Sequence, residues 1–98
     1  MAVIAHVLLR GLPSEQYDRV RAETGWLERT PDGGYCHVTW WEGADCHSID
    51  AWESEAAFNT FGQERLGPAM GKLGIAIQPE VTFHPAHEVF LPKAITLT

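Results

Sequence analysis

At 98 residues the chain has room for one domain, read as residues 1–98, because dividing this length would leave neither part a viable core. Hydrophobic residues at 45% and charged residues at 20% match ordinary globular usage and exclude a disordered chain. A formal net charge of −6, from 13 acidic and 7 basic side chains, leaves no Lys/Arg stripe to neutralise phosphates, so neither nucleic acid nor an anionic membrane is expected as a partner.

Residues 2 to 10 are an apolar run rich in Val, Ile and Leu, too short for a typical helix and closed by Gly11-Leu12-Pro13, which predicts a strand. The run has neither a basic leader nor a small-residue cleavage site and ends at Arg10, so it is read as neither a signal peptide nor a membrane span. Pro13-Ser14-Glu15 then carries a helix-start signature, and Tyr17, Val20, Thr24 and Leu27 follow at helical spacing to about Gly25 or a little beyond. Thr30-Pro31-Asp32-Gly33-Gly34 is a turn cluster, after which Tyr35 to Trp41 has the aromatic and β-branched content of a strand.

Glu42 to Asp45 turns the chain, and Cys46 to Trp52 returns as an antiparallel partner. If Gly43-Ala44 is a two-residue turn, Glu42 faces Asp45, Trp41 faces Cys46, Thr39 faces Ser48, His37 faces Asp50 and Tyr35 faces Trp52. Ser54 is a candidate N-cap for a second helix from Glu55 to Leu73, with Phe58, Phe61, Leu66, Met70 and Leu73 as its buried stripe and an interruption at Gly67-Pro68. A last strand is expected over Pro79 to Phe90, divided by Pro85 into Val81 to His84 and Ala86 to Leu91. Cys36 and Cys46 fall at positions of the hairpin that are not opposite each other, so both are expected as free thiols in a cytoplasmic protein.

The order β-α-β-β-α-β predicts an α+β, ferredoxin-like fold, with right-handed crossovers placing both helices on one face of a four-stranded antiparallel sheet. No second layer is left for the opposite face, so a partner's sheet or a ligand has to cover it, and a homodimer is expected. Alternation assigns Cys36, Val38, Trp40, His47, Ile49 and Ala51, mostly apolar, to the helix side, together with Val3, Ala5, Val7, Leu9, Val81 and Phe83. The open face then collects His6, Tyr35, His37, Trp41, Asp50, Trp52, Thr82 and His84, an aromatic and polar set of the kind that lines pockets.

Within that set His37 and Asp50 stand out, since a carboxylate opposite an imidazole fixes its tautomer and raises its basicity, as a general base requires. His6 is a candidate second base or orienter; Tyr35, Trp41, Trp52, Thr82 and His84 are candidate substrate-binding residues. Each has a structural alternative, a cross-strand hydrogen bond for the His37–Asp50 pair and core or interface packing for the aromatics. His84 and His87 lie three apart on a strand and so point to opposite faces, which leaves no metal site in the expectation.

The segments Pro13-Ser14-Glu15-Gln16-Tyr17-Asp18, Ile49-Asp50-Ala51-Trp52-Glu53-Ser54, Glu64-Arg65-Leu66-Gly67-Pro68-Ala69 and His84-Pro85-Ala86-His87, with the element order, resemble the dimeric α+β barrel superfamily. It includes antibiotic-biosynthesis monooxygenases, stress-responsive dimeric barrel proteins and polyketide cyclases, and the likeness is to small actinobacterial members. The resemblance implies two sheets packed face to face, a C-terminal strand reaching onto the partner, and a ligand between sheet and helices or inside the barrel. It also implies cofactor-free oxygenation of an aromatic or polyketide-like ligand through the substrate's own carbanion, or an aldol closure started by a histidine base. The alternatives are a non-catalytic ligand-binding or structural dimer, and haem or metal binding. A haem-degrading branch takes its iron ligand from a histidine on the second helix, and Glu55 to Leu73 contains none.

Overall fold

A computed structural model describes residues 1–93 and 95–98. The strands are β1 (Val3–Leu9), β2 (Gly34–Glu42), β3 (Asp45–Trp52) and β4 (Glu80–Pro85), and the helices α1 (Ser14–Thr24), α2 (Glu55–Phe61) and α3 (Gly67–Lys72). A single π-turn, Gly62–Leu66, joins α2 to α3. The strands form one antiparallel sheet in the order β2-β3-β1-β4, the ferredoxin-like α+β arrangement expected from the element order.

Local chemistry sets the element ends. Gly25 closes α1 in the left-handed conformation, its N–H bonding the Arg21 carbonyl. Ser54 caps α2 as expected, its hydroxyl accepting from the Ala57 N–H at 3.1 Å. The interruption expected at Gly67-Pro68 is taken up one turn earlier. Pro68 has no N–H to offer the Glu64 carbonyl, and the chain widens instead into the π-turn, where Gly67 N–H bonds the Gly62 carbonyl. Only glycine suits position 67, because a Cβ there would lie 2.9 Å from that oxygen.

Register decides which residues share a face. Ala5 lies opposite Asp50, Val7 opposite Ser48 and Leu9 opposite Cys46. His37 lies opposite Asp50, Thr39 opposite Ser48 and Trp41 opposite Cys46, while Phe83 and Val81 of β4 lie opposite Ala5 and Val7. These residues all point toward the helices, where Ala5, Val7, Leu9, Cys46 and Trp52 join Leu12, Val20, Phe58, Phe61 and Met70 in the core. The opposite face carries Ile4, His6, Leu8, Cys36, Val38, Trp40, His47, Ile49, Thr82 and His84 and no helix, leaving Val38 61% exposed.

The hairpin register expected from a Gly43-Ala44 turn is present from Glu42–Asp45 to His37–Asp50. Three expectations are corrected. The hairpin's faces are reversed: the polar set with His37 and Asp50 lies under the helices, and the apolar set with Val38, Trp40 and Ile49 is open, because β1 pairs Ala5 with Asp50 and not with a residue of the apolar set. Tyr35 does not face Trp52, since a register shift between Gly34 and Cys36 puts Gly34 opposite that indole. The last strand ends at Pro85. Ala86 N–H still bonds the Ala2 carbonyl at 2.9 Å, but residues 86–93 form no strand and Phe90 is 78% exposed.

Candidate functional site

A chain of short polar contacts runs from the buried middle of the sheet to the edge strand β2. Asp50, on β3, is buried, and its two carboxylate oxygens have separate partners. Oδ1 lies 2.6 Å from His37 Nδ1, and Oδ2 accepts from the Trp52 indole N–H at 3.2 Å. With Asp50 ionised the imidazole proton sits on Nδ1, which leaves the Nε2 lone pair to accept. Two hydroxyls meet it there. The Tyr17 oxygen, from α1, is 2.7 Å away, and the Thr39 oxygen, two residues along the same strand face, is 2.6 Å away. Thr39 also donates to the Tyr17 oxygen at 3.1 Å, so Tyr17 O–H donates to His37 Nε2 and the three groups close a triangle.

Aromatic rings surround this triangle. Trp26, just past the end of α1, packs 5.2 Å from the His37 ring and edge-on to Tyr17 at 5.9 Å. Trp41 meets Tyr17 edge-on at 5.6 Å and is anchored by its indole N–H to the Leu12 carbonyl at 2.7 Å. Burial raises the Tyr17 phenol above its ordinary value, opposed in part by the Thr39 hydrogen bond, so Tyr17 stays a proton donor at neutral pH. Burial likewise pushes the Cys46 thiol to about 11, which makes it inert. The His37 side chain remains 32% exposed, open to solvent along the edge of the sheet.

The expected site residues are divided between two faces. His37 and Asp50 meet as expected, and Trp41 and Trp52 share their face, although Trp52 is buried and serves Asp50. His6 does not join them. It lies on the open face, its Nε2 3.1 Å from His47 Nδ1, in a stack with Trp40 and His47. Thr82 and His84 share the open face with His6, lying opposite His6 and Ile4 respectively. Tyr35 is exposed and lines a surface depression of about 390 Å³ with Ala2, Ala86, His87, Glu88, Val89 and Leu91. Trp41 lines another, of about 480 Å³, with Gly11, Pro13, Ser14, Gly43 and Ala44.

Tyr17, Thr39 and Trp26 were not among the expected site residues. A tyrosine on the inward stripe of a helix needs a partner for its hydroxyl, and Thr39 shares the face of His37 by simple alternation; those were the available signals. Among the described residues no group of three or more His, Cys, Asp or Glu side chains is arranged to hold a metal ion. Both cysteines are free, Cys36 exposed and Cys46 buried. Among the described residues no helix is long and apolar enough to cross a membrane.

No protein-family model matches the chain, and no curated protein matches it. Solved structures do. A protein of unknown function from Nitrosomonas europaea superposes with a TM-score of 0.70 at 14% identity, covering 95% of this chain and 96% of that one. The cofactor-independent oxygenase SnoaB from Streptomyces nogalater gives 0.62 at 18% identity, covering 94% and 97%. The ActVA-Orf6 monooxygenase of Streptomyces coelicolor, solved with the ligand nanaomycin D, gives 0.61 at 21% identity, covering 94% and 93%. The chain therefore shares the ferredoxin-like α+β fold of these structures, as its element order predicted.

Proposed function

We propose that the protein binds a small planar aromatic or polyketide-like molecule beside His37, and that Asp50, His37 and Tyr17 move a proton to or from it. The observation that carries this reading is the continuous Asp50–His37–Tyr17 chain, with contacts of 2.6 and 2.7 Å, whose imidazole is partly exposed, with Trp26 packed against His37 and Trp41 against Tyr17. Asp50 holds the tautomer and supports the imidazolium, His37 Nε2 takes the proton, and Tyr17, held protonated by burial, donates to the oxygen on which charge develops.

Two reactions use that machinery without a cofactor. In the oxygenase reading His37 removes a proton from an activated CH2 group, and the resulting carbanion reacts with O2, giving C=O and water. In the cyclase reading the same carbanion attacks a carbonyl of its own chain, a C–C bond forms, and Tyr17 protonates the new alkoxide. The likeness to oxygenases of known fold supports the first, at the level of architecture.

A second copy covers the open face in this proposal, because Ile4, Leu8, Val38, Trp40 and Ile49 form an apolar surface without a helix over it. The exposed apolar residues Phe90, Leu91, Ile95 and Leu97 then find a partner on that copy. Two free thiols suit a reducing, cytoplasmic setting.

One observation favours a non-catalytic reading: His37 Nε2 is already engaged by the Tyr17 and Thr39 hydroxyls of its own chain. In that case the triangle is a structural lock in a ligand-binding or structural dimer. Titrating planar phenols against tryptophan fluorescence separates the readings. Wild type binds and His37→Ala loses at least about tenfold in affinity if His37 meets the ligand, as expected for a lost charge-assisted hydrogen bond. Equal binding by the two chains removes His37 from the site.

A further inference from the structure

Trp26 forms the wall of the site over His37, yet it lies beyond the end of α1 in the turn that Gly25 opens at φ 67°. That segment is held from a distance. Arg65 Nη2 donates to the Thr24 carbonyl at 2.7 Å and to the Arg29 carbonyl at 2.9 Å. The first acceptor is a last-turn carbonyl of α1, which lacks a partner within its own helix and carries the negative end of the helix dipole, so a guanidinium is well suited to it. The second closes the far side of the turn. One nitrogen thus brackets residues 25–28, Trp26 among them.

Arg65 is itself positioned by the π-turn, and its guanidinium lies over the Phe61 ring, 5.3 Å from the centroid. Phe61 in turn packs against Trp26 at 6.2 Å and Trp52 at 5.5 Å. The Arg65 Nε is buried with no hydrogen-bond partner. A buried N–H without an acceptor is costly, and it is tolerated here where the ring face of Phe61 lies close and the other nitrogen makes two bonds.

We propose that Arg65 is a positioning residue for the His37 site, clamping the Gly25–Arg29 turn so that Trp26 stays against the imidazole; the functional meaning of this rests on the reading of His37 given above. Arg65 touches neither His37 nor any group in the proton chain. It acts through the backbone carbonyls on either side of Trp26. The π-turn, otherwise a local response to Pro68, thereby places the clamp.

The test uses the ring-current effect of the Trp26 indole on the His37 ring protons, read by NMR on the full chain without ligand. Trp26→Leu supplies the reference position in which that effect is gone. In Arg65→Met, folded by far-UV circular dichroism, the His37 ring protons are expected to move more than half of the way toward the Trp26→Leu position. Arg65→Lys, which keeps a charged donor for the carbonyls but not the planar stack on Phe61, is expected to return most of that shift. Arg65→Gln, too short to reach both carbonyls, is expected to behave like Arg65→Met. His37 signals unmoved in a folded Met or Gln variant overturn the proposal. A chain that fails to fold with either residue also overturns it, since Arg65 would then be a requirement of the whole fold. No ligand enters the measurement, so its failure leaves the phenol titration standing, and failure of that titration leaves the clamp standing.

Discussion

The Trp52 indole N–H donates to the same Asp50 carboxylate that holds His37, the two contacts using different oxygens at 3.2 and 2.6 Å. The acceptor of the proton chain is therefore fixed from within the core, and changes to it affect both stability and chemistry. Asp50→Ala leaves the Trp52 N–H and the His37 N–H without acceptors and is expected to cost about 1–3 kcal/mol in denaturant unfolding. Asp50→Asn keeps the volume, destabilises less, and is expected to lower any turnover by about 100- to 10,000-fold, because His37 loses the carboxylate that holds its tautomer and with it the usual worth of a general base. Unfolding curves and product assays on both variants check this.

Tyr17→Phe removes one hydroxyl and keeps the ring against Trp26 and Trp41. It is expected to cost about 1 kcal/mol in stability, because the Thr39 hydroxyl, released from the Tyr17 oxygen, can turn its proton to His37 Nε2 2.6 Å away. Its effect on turnover or on phenol affinity is expected to be larger than its effect on unfolding, which a paired measurement of the two shows.

Two buried groups set the alkaline limit. The Tyr17 phenol and the Cys46 thiol are both raised by burial, Cys46 from 9.0 to about 11. A raised value in the fold means that the neutral form is favoured there, so the contribution to stability is complete below the unfolded value and lost as pH rises through the folded one. Unfolding free energy is expected to hold up to about pH 9 and to fall between 9 and 11, and Cys46→Ala is expected to flatten that fall. In the native state at neutral pH a thiol reagent is expected to leave Cys46 unlabelled until the chain unfolds.

Gly67→Ala places a Cβ 2.9 Å from the Gly62 carbonyl oxygen and is expected to destabilise by about 1–3 kcal/mol, since backbone on both sides has to move. Gly62→Ala, in open space, is expected to be nearly neutral or stabilising. Thermal melts of the two variants compare a required glycine with a dispensable one.

The turn residues and the alternation of the hairpin made its register readable, and with it the His37–Asp50 pair. The sides were not readable. Val38, Trp40 and Ile49 have the composition of a core, and Asp50, Ser48 and Thr39 that of a surface, so hydrophobicity alone turns the hairpin over. The helix side accepts Asp50 because both its oxygens are partnered, and the apolar set lies on the face that no helix covers. Pairing with β1 decides the matter, and a long-range register of that kind leaves no local trace. The Tyr35 shift was hidden for a similar reason: Gly34 has to sit close under the Trp52 ring, a contact between residues far apart in sequence. Arg65 was visible only as a residue of a family-like segment, because its carbonyl partners on Thr24 and Arg29 are tertiary contacts.

The most direct measurement is a ¹⁵N-histidine NMR titration with a planar phenol, with each signal assigned by substitution. It distinguishes the helix side of the sheet from the open face, since His37 lies on one and His6 and His47 on the other. The expected result is a saturable shift of His37 Nε2 with His6 and His47 unmoved. Movement of His6 and His47 with His37 unchanged contradicts the placement of the site.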